Sequence, residues 1–484
     1  MNLLPLPDRY HNPILNFDVP DPDAIRLPGG GYALVASSFD RRPGLPLWHS
    51  DDLVNWSAVG HVGGTGARTA DGGVWAPSIR SHDGRLHVVW GDPDRGIFAS
   101  SADALPGPWD SARLVVAGQG LIDPCPAWDD HGRAFIVHGW ARSRAGFANR
   151  LDMFEVDSSL TRPLSPSRPL IDGDLIAGCS VLEGPKVYRR ASQWWIFAPA
   201  GGVATGWQYA FRADRLDGPW EHRIVLSQGA TAINGPHQGA WVEGTDGEEW
   251  FLHFQATPRL GRVLHLQPLR WGSDGWPLIG SAVTGGPAEP VEHWALPTGG
   301  KPPARPRGDS FASPRLSPIW HTRGADATAL ISSLGEGTLE LRASGDGVLA
   351  QPLHGDWRTW STTVLGADAA ALVVDGEERW LLEVADSYAT VWCGSTLHAR
   401  VPASTPVELA VSFDQDRVQF LVEGHPLGSA LQLRPRRWTG VEIGLQARHG
   451  SARFAPVRIS VGAAPLAPEP TSDDQPQERS RSND

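Results

Sequence analysis

A repeat restricts this chain more than any other feature. Five stretches, Val19-Pro20-Asp21-Pro22, Val74-Trp75-Ala76-Pro77, Leu121-Ile122-Asp123-Pro124, Leu182-Glu183-Gly184-Pro185 and Asn234-Gly235-Pro236-His237, each put a proline at the head of a strand-like run. They recur at intervals of roughly 50 to 60 residues, the spacing of propeller blades and solenoid repeats. Proline cannot donate a ladder hydrogen bond, so it belongs at a strand start or edge. Behind each start a turn leads into a second apolar strand. Examples are His82-Asp83-Gly84 before Leu86-His87-Val88-Val89-Trp90, and Asp130-His131-Gly132 before Ala134-Phe135-Ile136-Val137. Arg190-Ala191-Ser192 does the same ahead of Trp194-Trp195-Ile196-Phe197. Short apolar strands, glycine-rich turns and almost no helical period indicate an all-β chain. Five such units predict a five-bladed β-propeller over residues 1–298, four strands to a blade around a central channel. Coincidental similarity among turn-rich β segments is the alternative.

The run Gly299-Gly300-Lys301-Pro302-Pro303-Ala304-Arg305-Pro306-Arg307 reads as a linker, assigned to 299–308. Alternating segments such as Val407-Glu408-Leu409-Ala410-Val411 then predict a β-sandwich over 309–463. The remaining 464–484, rich in Pro, Ser, acids and Arg, is expected to be disordered. A net charge of −12 argues against nucleic acid as a partner, since phosphate binding needs a basic surface. Cys125, Cys179 and Cys393 are too few and too scattered for a disulfide framework or a thiolate zinc site. Met1 to Tyr10 lacks the basic and long apolar regions of a secretory signal, and no run of 18 apolar residues exists to cross a membrane. The expectation is therefore a cytoplasmic protein, a secreted form with its leader removed remaining open, as does homo-oligomerisation.

Three of the five starts carry an acid: Asp21, Asp123 and Glu183. Cleaving a glycosidic bond takes two carboxyl groups flanking it. Asp21 and Glu183 are too distant in sequence to share a helical turn, and a propeller channel is what would bring them together. Glu183, between Leu182 and Gly184-Pro185, is expected to be partly buried, with the raised pKa of a general acid. Asp21, followed by Pro22 and Asp23, lies in a more polar run and suits an ionised base. Asp123 would orient the acid and tune it by like-charge coupling. Taken singly, an acid before proline more often caps backbone N–H groups at a turn. Twenty-two Trp serve mostly as packing, a minority being free to stack on sugar rings.

These motifs resemble glycoside hydrolase family 43, the β-xylosidase and α-L-arabinofuranosidase family of five-bladed propellers. The matching segments run in the family's order from Asn12-Pro13-Ile14-Leu15 and Pro20-Asp21-Pro22 through Gly73-Val74-Trp75-Ala76-Pro77 and Leu121-Ile122-Asp123-Pro124. Leu182-Glu183-Gly184-Pro185 and Gly235-Pro236-His237-Gln238-Gly239 complete them. The resemblance implies an inverting exo-glycosidase acting on terminal arabinofuranosyl or xylosyl groups of plant-derived oligosaccharides, with Asp21 as base, Glu183 as acid and Asp123 as modulator. An endo-acting arabinanase and a non-catalytic carbohydrate-binding propeller stand as alternatives. Trp75 and Phe39 would wall the sugar pocket, Arg262 would grip hydroxyls, and Gln238 is a further candidate contact. His237 matches a channel histidine that holds a water or a structural calcium in relatives, a buried structural imidazole being the alternative; no cofactor is otherwise implied. The 139–147 loop would shape the leaving-group side. Asp18 competes with Asp21 for the role of base, and Asp23 stands where many relatives have Ser. The C-terminal region resembles the concanavalin A-like sandwich appended to many relatives.

Overall fold

A computed structural model describes residues 8–63, 73–304, 307–414, 417–436 and 438–462. The N-terminal residues 1–7 and the tail expected to be disordered lie outside the described residues.

Five antiparallel sheets of four strands follow one another along the chain, each with its strands in sequence order. Their innermost strands are Asp23–Arg26, Trp75–His82, Leu121–Trp128, Lys186–Arg190 and His237–Glu243. The sequence forms these strands because apolar residues packing between blades alternate with smaller or polar ones. Val89, Ile97, Ile136 and Phe154, for instance, lie in one buried cluster between the second and third blades. The ring is closed by the start of the chain. Arg9–His11 pairs with His293–Ala295, and the Asn12 side chain donates 2.8 Å hydrogen bonds to the carbonyls of Leu266 and Val291. Asn12-Pro13-Ile14-Leu15 is thus a clasp on the fifth blade.

The segment after the fifth blade lies along the first. Asn55 donates to the Lys301 carbonyl and accepts from Ala304 N–H at 2.7 Å. Beyond it the strands from His321–Arg323 to Arg458–Val461 build a β-sandwich whose core includes Trp320, Trp360, Leu372, Phe420 and Phe454. Two propeller residues, Leu260 and Val263, belong to that same core, so the two units share apolar packing. All three cysteines are free thiols, and among the described residues no helix is long and apolar enough to cross a membrane.

Candidate active site

Each blade begins its inner strand with one residue in the left-handed region: Asp21 (φ 51°), Ala76 (35°), Asp123 (56°), Gly184 (59°) and Gln238 (29°). Register slips fall between Trp75 and Ser78, Ile122 and Cys125, and His237 and Gly239, the signature of a β-bulge, which re-aims a side chain at a strand end. Reversed φ in a non-glycine residue costs about 1–2 kcal/mol, and such strain collects at functional sites. This register corrects the alignment of the repeats. The Glu183 N–H bonds the Pro199 carbonyl as an inner strand bonds its neighbour, which makes Gly184, not Glu183, the counterpart of Asp21 and Asp123. Glu183 stands one residue earlier. In the fifth blade the counterpart is Gln238 rather than Gly235.

Asp21, Asp123 and Glu183 line one cavity of about 1570 Å³ at the mouth of the channel. Asp21 is 4% exposed, accepts from Ser37 Oγ at 2.6 Å and is paired with the Arg262 guanidinium. Ser37 in turn receives the Ala76 N–H at 2.6 Å. Asp21 thus has polar, charged partners in space, and they bury it. Asp123 accepts the Gly184 N–H at 2.8 Å. Burial first, then the neighbouring Glu183 and Asp21 charges, hold its carboxyl well above the usual range. Glu183 is partly buried as expected, with 22% of its side chain exposed. Its Oε1 lies 3.3 Å from His237 Nε2 without hydrogen-bond alignment, and both nitrogens of that buried imidazole lack a partner.

Phe39 and Trp75 meet edge to face at 6.0 Å, and Arg262 lies over the Phe39 ring at 5.6 Å, so all three share one wall. Gln238 and Trp140 also line the cavity, Trp140 in ring contact with Phe147 at 4.8 Å. A Cβ on Gly139 would stand 3.6 Å from Glu183 Cα and 3.7 Å from Asp123 Oδ2, so the start of the 139–147 segment abuts both acids. The sandwich supplies the roof: Arg434, Pro435, Arg436, Trp438 and Thr439 line the same cavity, and the Trp438 ring stands 5.9 Å from Trp75.

Sequence reasoning missed Ser37, Trp438 and the charges between the units. Asp18 is fully buried and bonded to Arg41 at 2.6 Å, and it stands outside the cavity lining to which Asp21 belongs. Asp23 lies beneath the site, accepting the Ile79 N–H at 2.8 Å and Arg80 at 2.7 Å, with buried Lys186 Nζ at 4.0 Å. Among the described residues no group of three or more His, Cys, Asp or Glu is arranged to hold a metal.

A propeller whose blades aim Asp21, Asp123, Glu183, Arg262 and the aromatics Phe39, Trp75 and Trp140 into one roofed cavity has the constellation of a glycoside hydrolase. The chain belongs to glycosyl hydrolases family 43, whose profile matches residues 10–277, more than half of the chain. A Xylanibacter ruminicola protein, provisionally named a beta-xylosidase, is 40% identical over 296 residues, 60% of this chain and 54% of its own. A non-reducing end alpha-L-arabinofuranosidase of Bacteroides ovatus is 29% identical over 298 residues, 56% of this chain and 53% of its own. The chain spans about half the length of the curated relatives it matches. The crystal structure of a xylan beta-1,4-xylosidase from Bacillus halodurans superposes with a TM-score of 0.80 at 23% identity, covering 93% of this chain and 100% of that one, a likeness of fold.

Proposed function

We propose that the protein is an inverting exo-glycosidase that removes terminal α-L-arabinofuranosyl or β-D-xylosyl groups from plant-derived oligosaccharides. The observation that carries this reading is the convergence of Asp21, Asp123 and Glu183 from three blades in one cavity. Glu183, the exposed member, donates its proton to the leaving oxygen. Asp21 takes a proton from a water whose oxygen bonds the anomeric carbon on the opposite face, a geometry that calls for carboxyls about 6.5–9.5 Å apart. Asp123 holds the Gly184 amide and sets the charge beside Glu183. Arg262, Phe39, Trp75 and Gln238 bind the terminal sugar. The roof that Trp438 lays against Trp75 favours a chain end over a polymer's middle, and relatives named as xylosidase and arabinofuranosidase favour a pentose.

At His237 the donors fit a water better than a calcium. Two unpartnered ring nitrogens lie beside one carboxylate, whereas calcium takes six to eight oxygens. In the same reading residues 1–298 form the catalytic unit and 309–463 the sandwich that closes it, joined through 299–308.

The test is release of nitrophenol from p-nitrophenyl α-L-arabinofuranoside and β-D-xyloside. Glu183→Gln and Asp21→Asn should each lower kcat by several orders of magnitude, and Asp18→Asn by less than about tenfold. No release from either glycoside at any pH would refute the reading. Cleavage of debranched arabinan without the aryl glycosides would replace it by an endo-acting arabinanase.

A further inference from the structure

We infer that Glu442, in the sandwich, is a positioning residue for the sugar site, acting through Arg41 and Asp18 to hold Arg262 against Asp21. The inference rests on the proposed role of the Asp21–Arg262 pair. Glu442 opens the strand Glu442–Phe454 and is wholly buried. Its Oε1 accepts from Arg41 Nε at 2.5 Å, and its two oxygens accept from Arg323 at 2.6 and 2.9 Å. Arg41 passes the contact on: its Nη2 donates to Asp18 Oδ2 at 2.6 Å, and Asp18 Oδ1 accepts the backbone N–H of Arg262 at 2.8 Å. The side chain of that same Arg262 pairs with Asp21.

Two arginines thus face the buried carboxylates of Glu442 and Asp18, with His321 at 3.1 Å from Glu442 and half-exposed Asp40 on Arg323, and attraction there offsets desolvation only when the geometry is good. Burial alone would raise the Glu442 carboxyl, yet Arg323, His321 and Arg41 together hold it well below the usual range. The exposed rim pairs of the molecule lack this burial and contribute little.

The backbones point the same way. Arg262 follows the turn between the second and third strands of the fifth blade. Arg259 there accepts the Val441 N–H at 2.9 Å, one residue from Glu442. A Cβ on Gly261 would stand 2.2 Å from Asp18 Oδ1 and 2.4 Å from Gly440 N, so propeller and sandwich touch main chain to main chain beside Arg262. Leu260 is buried in the sandwich core. The strand that presents Arg262 is therefore fixed from the sandwich side, by an apolar anchor and by one chain of charges.

A double-mutant cycle tests this. kcat and KM are measured on whichever aryl pentoside the parent cleaves, for parent, Glu442→Gln, Arg262→Ala and the double variant, with each protein confirmed folded at the assay temperature. Glu442→Gln should lower kcat/KM by about three- to tenfold in the parent and by less than about twofold in the Arg262→Ala background, the non-additivity expected of residues in one network. Glu442→Asp, which keeps the charge, should recover part of the loss. A change within about twofold in the parent, or an equal fold-loss in both backgrounds, would overturn the inference and leave the proposed function standing. Should Glu442→Gln not fold, Arg41→Lys enters the same cycle with the same two outcomes. A parent that cleaves no pentoside would refute the function itself, and the positioning role with it.

Discussion

Replacing Gly184 by alanine probes the bend that separates Glu183 from the inner strand of the fourth blade. Gly184 has φ 59°, and a Cβ there would stand 2.6 Å from Gln238 Cγ and 3.0 Å from its Cδ and Nε2. Left-handed alanine costs about 1–2 kcal/mol. The second blade bears that strain already, since Ala76 holds the equivalent position at φ 35°. Pressing a methyl onto a side chain 3% exposed adds about 1–3 kcal/mol of overpacking. Unfolding free energy should thus fall by about 2–5 kcal/mol, read by denaturant titration. Gln238→Ala in the same chain should return the steric share and leave the backbone share. Because the Gly184 N–H is held by Asp123 and its neighbour is Glu183, relief by a backbone shift of about 1 Å should also lower kcat about a hundredfold. A Gly184→Ala protein with parental stability, or with parental turnover despite lost stability, would refute the view that this contact sets the position of Glu183.

Two further outcomes follow from the site's surroundings. Trp438→Ala should raise KM for the aryl pentoside by up to about tenfold, the worth of one aromatic pair, with little change in kcat; an unchanged KM would mean that the sandwich roof does not touch the sugar. Asp123→Asn should lower turnover yet raise the unfolding midpoint at pH 7. A carboxyl raised in the folded state favours the fold below its ordinary pKa of 3.8 and costs stability as pH climbs through the raised value, a penalty that asparagine lacks. A midpoint lower than the parent's at pH 7 would contradict it.

Much of the propeller was legible because its rule is local. Proline at a strand head, a glycine or aspartate turn, and an apolar second strand are features each blade repeats for its own reasons. The three acids could be picked out because they sit at those heads. Their exact register was not legible: Glu183 and Asp123 look alike beside Gly-Pro and Pro, and only the ladder puts Gly184 opposite Asp123 in the pattern. The burial of Asp21 was not legible for a similar reason. Pro22 and Asp23 are its neighbours in sequence, whereas Arg262 and Ser37 are its neighbours in space, and they bury it.

The sequence by itself determined the all-β class, the count of five blades, the family resemblance and the three acids, since these depend on short motifs whose chemistry is carried by adjacent residues. Tertiary structure alone decided that Asp123 is held protonated to higher pH, that Asp18 is tied to Arg41, and that a tryptophan from the sandwich roofs the cavity. Those outcomes depend on burial and on charges brought together from opposite ends of the chain. Desolvation and Coulomb attraction act through space, and linear spacing does not record them.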